Sequence, residues 1–327
     1  MSHLSMAVFT PVTNQQATDY LAQYALGDFV SLRGITAGIE NTNFFLNTSQ
    51  GEYVLTLFEV LNHEQLNFYI ELMHTLASRE VKVPMPQTRR DGTRIGTLNG
   101  KPAAIVDRLA GGYESDPGIQ HCIIAGRTQA QAHLAARDFA LYQPNLRGLP
   151  WWEETYPGIR PFLTDSQDRL FTASLEEQRQ IQTGDDWKSM PAGACHCDLF
   201  RDNVLFDGTY DEPRMGGIID FYFAGHDAWL FDVAVAVNDW CIERSTGALQ
   251  PWLVQAWLQA YAQERPFTET EKKLWPIALR AAALRFWTSR LNDYFRPRPA
   301  QTLKPHDPTH FERILTLRVQ QPVPPLP

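Results

Sequence analysis

Two kinds of hydrophobic pattern divide the chain, and the change falls about one third of the way along. Near the start, Thr13-Asn14-Gln15-Gln16 forms a capping box, in which Thr13 accepts from the Gln16 backbone and Gln16 reaches back. A helix is expected from there to about Ala25, stopped at Gly27. Short apolar runs follow. Phe44-Phe45-Leu46 and the run Tyr53 to Phe58 flank a polar stretch, Asn47 to Glu52, which predicts a hairpin with a longer loop. Asn62-His63-Glu64-Gln65 then opens a helix in which Leu66, Tyr69, Ile70, Met73 and Leu76 recur at helical spacing, ending shortly before Pro84. Arg94 to Leu98 and Lys101 to Val106 sit either side of Asn99-Gly100, a two-residue turn in which both residues tolerate positive φ. Residues 28–107 therefore read as a small, mostly antiparallel sheet with one inserted helix.

Beyond Gly111-Gly112 the period becomes helical. Gln120 to Tyr142 is one expected helix. Ser174…Glu177 reads as a capping box opening a second, to Gln182, and Thr268…Glu271 opens a long one reaching Phe295. Between them lies a strand-and-loop insert, residues 194–223. Arg296 to Pro308 and Val319 to Pro327 are proline-rich and are expected to strap the surface or to stay disordered. The order predicts an α+β chain of two lobes, residues 1–107 and 108–327, with one crossover and a cleft at the junction, where ligand sites are preferred.

Composition removes alternatives. The 327 residues are 44% hydrophobic and 20% charged, ordinary for a globular protein. Lys+Arg number 29 against 37 Asp+Glu, a net charge of −8, so nucleic acid and anionic membrane are not expected partners. No apolar run reaches the ~18 residues of a membrane span. Met1-Ser2-His3-Leu4-Ser5 lacks the basic start of a secretory signal, and four cysteines suit a reducing compartment, so a cytoplasmic protein is expected.

Candidate chemistry concentrates in His196-Cys197-Asp198-Leu199-Phe200-Arg201-Asp202-Asn203-Val204-Leu205-Phe206. Asp198 and Asn203 lie five positions apart ahead of a strand, and Asp220 ends the later apolar run Gly217-Ile218-Ile219. Asn and Asp oxygens are hard ligands suited to Mg²⁺, and a neighbouring carboxylate can orient a hydroxyl and accept its proton. The spacing matches the kinase pattern H-R-D-x-x-x-x-N followed by a metal-binding Asp. Cys195 and Cys197 around His196 lack the ligand spacing of a structural zinc site and read as buried thiols. Gly34 to Asn43 holds two glycines and an Asn-Thr-Asn cluster, without either standard phosphate-loop signature.

These segments, with Glu40-Asn41-Thr42-Asn43-Phe44-Phe45, Tyr53 to Glu59, Gly217 to Gly225 and Ala283-Leu284-Arg285-Phe286, resemble the aminoglycoside phosphotransferase-like kinases. Within that superfamily they resemble the homoserine kinases of this fold. The resemblance implies a bilobal protein-kinase-like fold, an N-terminal nucleotide-binding lobe and a helical catalytic and substrate-binding lobe. It implies ATP and Mg²⁺ as cofactors and Asp198 as catalytic base, with Asn203 and Asp220 as metal ligands. Gly38, Asn41, Thr42 and Asn43 would cover phosphates, and the main chain around Val106 and Leu109 would meet adenine. Thr56 stands where protein kinases carry a strand lysine, so phosphate charge must fall to metal ions or to cations such as Arg201 and Lys101. His196 would be a structural hydrogen-bonding residue, and Asp232 would cap or buttress a helix beneath the catalytic loop.

The implied reaction is phosphorylation of the side-chain hydroxyl of L-homoserine to O-phospho-L-homoserine, a step toward threonine. An amino-acid acceptor needs a guanidinium or amine fork for its carboxylate; Arg285 and Arg290 on the long last helix are candidates, with Tyr222 at the pocket edge. Three rivals follow from the same residues. The acceptor could be choline, an aminoglycoside or hydroxylysine. His196, Asp198, Asp220 and His226 could serve a metallohydrolase. Thr56 could mark a pseudokinase that binds nucleotide without turnover.

Overall fold

The computed structural model describes residues 10–35, 41–297 and 305–327. The chain forms two compact units, Met1–Ala110 and Gly111–Pro327.

In the first unit, α1 (Asn14–Leu21) starts at the expected capping box, Gln16 N donating to Thr13 Oγ1 and Thr13 N to Gln16 Oε1. It ends at Leu21, short of Ala25, and the chain turns through Gly27 at φ +86°. The strands β1 (Phe29–Gly34), β2 (Asn41–Thr48), β3 (Gly51–Phe58), β4 (Gly96–Leu98) and β5 (Lys101–Asp107) pair antiparallel in the order β1-β2-β3-β5-β4. The helix α2 (His63–Ser78) is inserted between β3 and β4, capped by Asn62 and Gln65. One expectation fails here. β2 and β3 pair from Asn41↔Phe58 to Thr48↔Gly51, so only Ser49 and Gln50 connect them. Asn47 and Glu52 pair within the strands, because a half-exposed sheet puts polar residues at alternate positions. The other hairpin turns as expected, Asn99 at φ +49° and Gly100 at φ +76°.

The core of this unit packs Tyr20, Leu21, Phe44, Leu46, Leu55, Leu57 and Ile105 between α1 and the sheet. Burying each large apolar side chain stabilises by about 1.5–3 kcal/mol. Tyr20 is buried with its hydroxyl donating to the Ala103 carbonyl at 2.7 Å, so no polar cost remains.

The second unit begins with β6 (Gly112–Tyr113) and α3 (Ile119–Ala135), followed by α4 (Leu149–Ile159), α5 (Asp165–Gln182) and the short α6 (Asp185–Lys188). The β insert is β7 (Ala192–Cys195), β8 (Val204–Gly208), β9 (Pro213–Ile218) and β10 (Gly225–Ala228). Then come α7 (Trp229–Trp240), α8 (Pro251–Glu264), α9 (Glu269–Phe295) and α10 (Thr309–Gln320). β7 pairs with β10, and β6-β8-β9 form a second sheet. Every residue of α7 is buried, so it is the axis on which this unit is built.

Here too the pattern misleads in places. α3 stops at Ala135, not Tyr142. The capping box of α5 is Thr164 with Gln167, while Ser174 lies buried inside the helix. α4, α8 and α10 had no clear signal. The long α9 starts at Thr268 and runs to Phe295 as expected. The C-terminal segment straps α9, with Trp275 Nε1 donating to the Pro324 carbonyl at 3.0 Å and Leu326 buried. No helix among the described residues is long and apolar enough to cross a membrane.

Candidate active site

Two loops of the second unit carry the predicted chemistry. One joins β7 to β8 and contains His196, Asp198 and, in a single 3-10 turn, Arg201–Asn203. The other joins β9 to β10 and contains Asp220 and Tyr222. Hydrogen bonds lock them together. Ile219 N donates to the Asn203 carbonyl at 2.9 Å. His196 Nδ1 accepts from Asp198 N at 3.2 Å, so its Nε2 carries the proton and donates to the Ile219 carbonyl at 2.8 Å. Burial holds this imidazole below its ordinary pKa and keeps it neutral, in keeping with that tautomer. Asn203 Nδ2 donates to the Asp198 carbonyl at 2.8 Å. Its Oδ1 accepts no hydrogen bond among the described residues.

Backbone strain marks both loops. Cys197 at φ +63° and Asp220 at φ +61° are left-handed non-glycine residues, a conformation that survives only where surroundings impose it. Between them, the β8–β9 register slips at Leu205/Phe206, opposite Gly217, which re-aims the chain just before Asp220.

α7 imposes the loop conformation from below. Asp232 Oδ1 accepts from Cys197 N at 2.7 Å. Its Oδ2 accepts from His133 Nε2 at 2.7 Å and Gln129 Nε2 at 3.1 Å. Burial works against the Asp232 charge, but the hydrogen bonds from His133 and from Cys197 N hold the carboxyl below its ordinary range. Asp232 thus buttresses the loop; it does not cap its own helix, as the sequence had also allowed. Further along α7, Asp239 accepts from Arg201 N at 2.8 Å and Arg201 Nε at 3.1 Å, and Trp240 Nε1 donates to the Leu199 carbonyl at 3.0 Å.

Asp198 is half-buried. Burial pushes its carboxyl well above the usual range, the Asp220 charge pushes it further, and Arg285 pulls it back. A carboxylate so placed gains from any cation that enters beside it. Among the described residues, one group of three metal-capable side chains assembles, His133, Cys195 and Asp232. All three are buried and hydrogen-bonded within the protein, His133 between Asp232 and the Tyr261 hydroxyl and Cys195 Sγ on the Gly193 carbonyl. The set His196, Asp198, Asp220 and His226 does not assemble in this way. Cys122, Cys195, Cys197 and Cys241 are buried free thiols.

In the first unit, Gly38 lies outside the described residues. Asn41 opens β2 opposite Phe58. Thr42 is fully buried, and its hydroxyl donates to Glu59 Oε1 at 2.7 Å, which ties β2 to the residue after β3. Burial alone would raise the Glu59 pKa; hydrogen bonds from Thr10 and Thr42 and the Lys101 pair at 3.3 Å hold it lower. Thr56 is buried and donates to Asn43 Oδ1 at 2.7 Å, joining β3 to β2. Val106 is buried in β5 opposite Val54, and Leu109 is half-buried beyond it. Neither cation named from the sequence is spare, since Arg201 is committed to Asp239 and Lys101 to Glu59.

The candidate substrate residues have the following surroundings. Tyr222 is half-buried in the turn closed by Ala224 N on the Phe221 carbonyl. Burial and Asp220 push its hydroxyl pKa up. Arg290 stacks over Phe311 at 4.5 Å, on the α10 side of α9. The Arg285 guanidinium lies 4.4 Å from the Phe286 ring, which packs against Phe311 at 5.4 Å, and 5.7 Å from Trp151 and 5.8 Å from Phe223. Arg147 shares the last two rings, at 4.7 and 5.9 Å. Sequence reasoning missed Arg147, Trp151 and Phe223; the Trp151-Trp152 tandem was the one available signal.

A family model for the phosphotransferase enzyme family matches residues 31–267. A homoserine kinase of Paraburkholderia phymatum is 56% identical over 318 residues, covering 96% of this chain and 98% of that protein. One from Burkholderia cenocepacia is 54% identical, with 96% of each covered. Among solved structures, amicoumacin kinase hAmiN aligns with a TM-score of 0.67 at 13% identity, covering 94% of this chain and 93% of that one. A microcompartment-associated aminopropanol kinase aligns at 0.63 and 18% identity, covering 93% and 94%. Those structures share the fold, a small antiparallel sheet unit followed by a helical one, and the sequence relatives share most of the chain. With its paired loops and their Asp, Asn and Asp in kinase order, the chain belongs to the phosphotransferase enzyme family, on the branch of the homoserine kinases.

Proposed function

We propose that the protein transfers the γ-phosphoryl group of ATP to the side-chain hydroxyl of L-homoserine, giving O-phospho-L-homoserine and ADP. The observation that carries this reading is 54–56% identity to homoserine kinases over 96% of the chain. The first unit serves as the nucleotide-binding lobe, through Asn41, Asn43 and the main chain near Val106 and Leu109. The second serves as the catalytic and acceptor lobe.

Asp198 orients the acceptor hydroxyl and takes its proton as the oxygen bonds to the γ-phosphorus and the bond to the bridging oxygen of ADP breaks. The Asn203 amide oxygen, which accepts no hydrogen bond among the described residues, and the Asp220 carboxylate are hard donors that fit Mg²⁺. When bound, that ion neutralises charge on the phosphates. Its share is large here, because Arg201 and Lys101 are committed to acids.

The test is ADP release against homoserine, choline, an aminoglycoside and hydroxylysine, with Mg²⁺ varied. Homoserine-dependent release that stops in Asp198→Ala is expected. Turnover with another acceptor alone overturns the acceptor. Nucleotide binding with no turnover makes the chain a pseudokinase, and zinc-dependent hydrolysis without ATP makes it a metallohydrolase.

A further inference from the structure

Arg285 is 2% exposed, yet among the described residues it has no hydrogen-bond or ion-pair partner, and its Nη1 is sealed from water. A buried guanidinium normally has its five donors matched by carboxylates or carbonyls. What surrounds it instead is aromatic: Phe286, Trp151 and Phe223. A second guanidinium, Arg147, shares Trp151 and Phe223 from a half-buried loop ahead of α4. Folding therefore brings two positive charges to the same two rings, an arrangement that like-charge repulsion opposes unless an anion comes between them. The acid that most strongly stabilises the Arg285 charge is Asp198, whose oxygens the reaction needs for the acceptor hydroxyl.

We infer that Arg147 and Arg285, flanked by Trp151 and Phe223, form the receptor for the carboxylate of the acceptor and set the enzyme's preference for an amino acid over an amino alcohol. This deepens the reading proposed above and rests on it for the acceptor's identity. Two guanidinium forks suit a planar carboxylate, and the rings keep water from competing. In homoserine two carbons separate the hydroxyl carbon from the carboxyl carbon, so the receptor must lie near the base, and Asp198 is the acid whose charge acts most strongly on Arg285. Arg290 lies over Phe311, not over Trp151 or Phe223.

The test compares kcat/KM for homoserine and for 3-amino-1-propanol, the same acceptor without its carboxylate, in wild type, Arg147→Gln, Arg147→Lys and Arg285→Lys. Arg147→Gln is expected to lower kcat/KM for homoserine about 10- to 100-fold, mainly through KM, as loss of a charge-assisted bond does. The loss for 3-amino-1-propanol stays within about 3-fold, so the preference collapses. Arg147→Lys restores part of it, keeping the charge without the fork. Arg285→Lys erodes the same preference; should it fail to fold, the two Arg147 variants decide, since their side chain is only half-buried. Equal losses on both acceptors, or an unchanged homoserine KM, overturn the inference. If wild type ignores homoserine but phosphorylates another carboxylate-bearing alcohol, the acceptor reading fails and the receptor stands, tested on that alcohol and its decarboxylated form. A wild type that prefers acceptors without a carboxylate overturns both.

Discussion

Asp198 is held where its charge is least comfortable, half-buried and beside Asp220, with Arg285 as partial relief. In the role proposed above, function and stability pull in opposite directions at this residue. Asp198→Asn is expected to lower kcat by about 10²- to 10⁴-fold, the usual share of a general base. The same variant is expected to raise stability by about 1 kcal/mol when no divalent cation is present, because the neutral amide escapes burial cost and repulsion. Steady-state kinetics and a denaturant midpoint in chelator check the two halves, and a variant both inactive and less stable would contradict the electrostatic account. At this scale the sequence was most informative where chemistry is local. Asp198, Asn203 and Asp220 stand in a readable order because two short loops carry them. Arg147 was invisible because a loop without periodicity brings it to Arg285. The inward direction of Thr42 was equally hidden, since a strand's parity is fixed by pairing that one segment does not reveal.

Among the elements, α7 stands apart because it grips the 196–203 loop at Cys197, Leu199 and Arg201 through Asp232, Trp240 and Asp239. Asp232→Asn swaps one acceptor oxygen for an N–H that faces donors from His133 and Gln129, or else from Cys197. A cost of about 1–3 kcal/mol is expected, as for a buried group left mismatched. Hydrogen exchange at Cys197 N should quicken, and kcat should fall with little change in nucleotide affinity; unchanged exchange would show that α7 does not hold the loop. Helix starts were legible where a box stood ahead of a clear period, at Thr13, Asn62 and Thr268. The same letters at Ser174 misled because a box is only a pattern, and α5 had already begun at Thr164. α8 opens with Pro251 after an uncapped Gln250, which leaves no start signal to read.

Taken whole, the molecule's acid balance and burial combine at Asp227 on β10. Burial pushes its carboxyl up to about 6, against hydrogen bonds from Asn145 and Ala228 N. Between the ordinary carboxylate pKa of 3.8 and about 6, the folded protein binds a proton that the unfolded chain has lost. Stability from this group is thus greatest at acid pH and declines as pH rises, by up to roughly 3 kcal/mol. Relative to wild type, Asp227→Asn should gain stability from pH 4 to pH 7, and a constant gap in unfolding free energy across that range would refute the shift. A net charge of −8 said nothing of this, because whole-chain charge carries no information on which carboxylates folding buries.

The bond between Thr56 and Asn43 has a practical consequence for finding such enzymes. With the nucleotide on the first unit as proposed above, reagents that tag kinases by delivering an acyl group from a nucleotide to the strand amine would meet a buried hydroxyl on β3 instead. The unit's two lysines, Lys82 and Lys101, do not lie on that strand, and Lys101 is paired with Glu59. On that reading, a survey of ATP-binding proteins that relies on acylation of the strand lysine would miss this protein and undercount phosphotransferases of its kind.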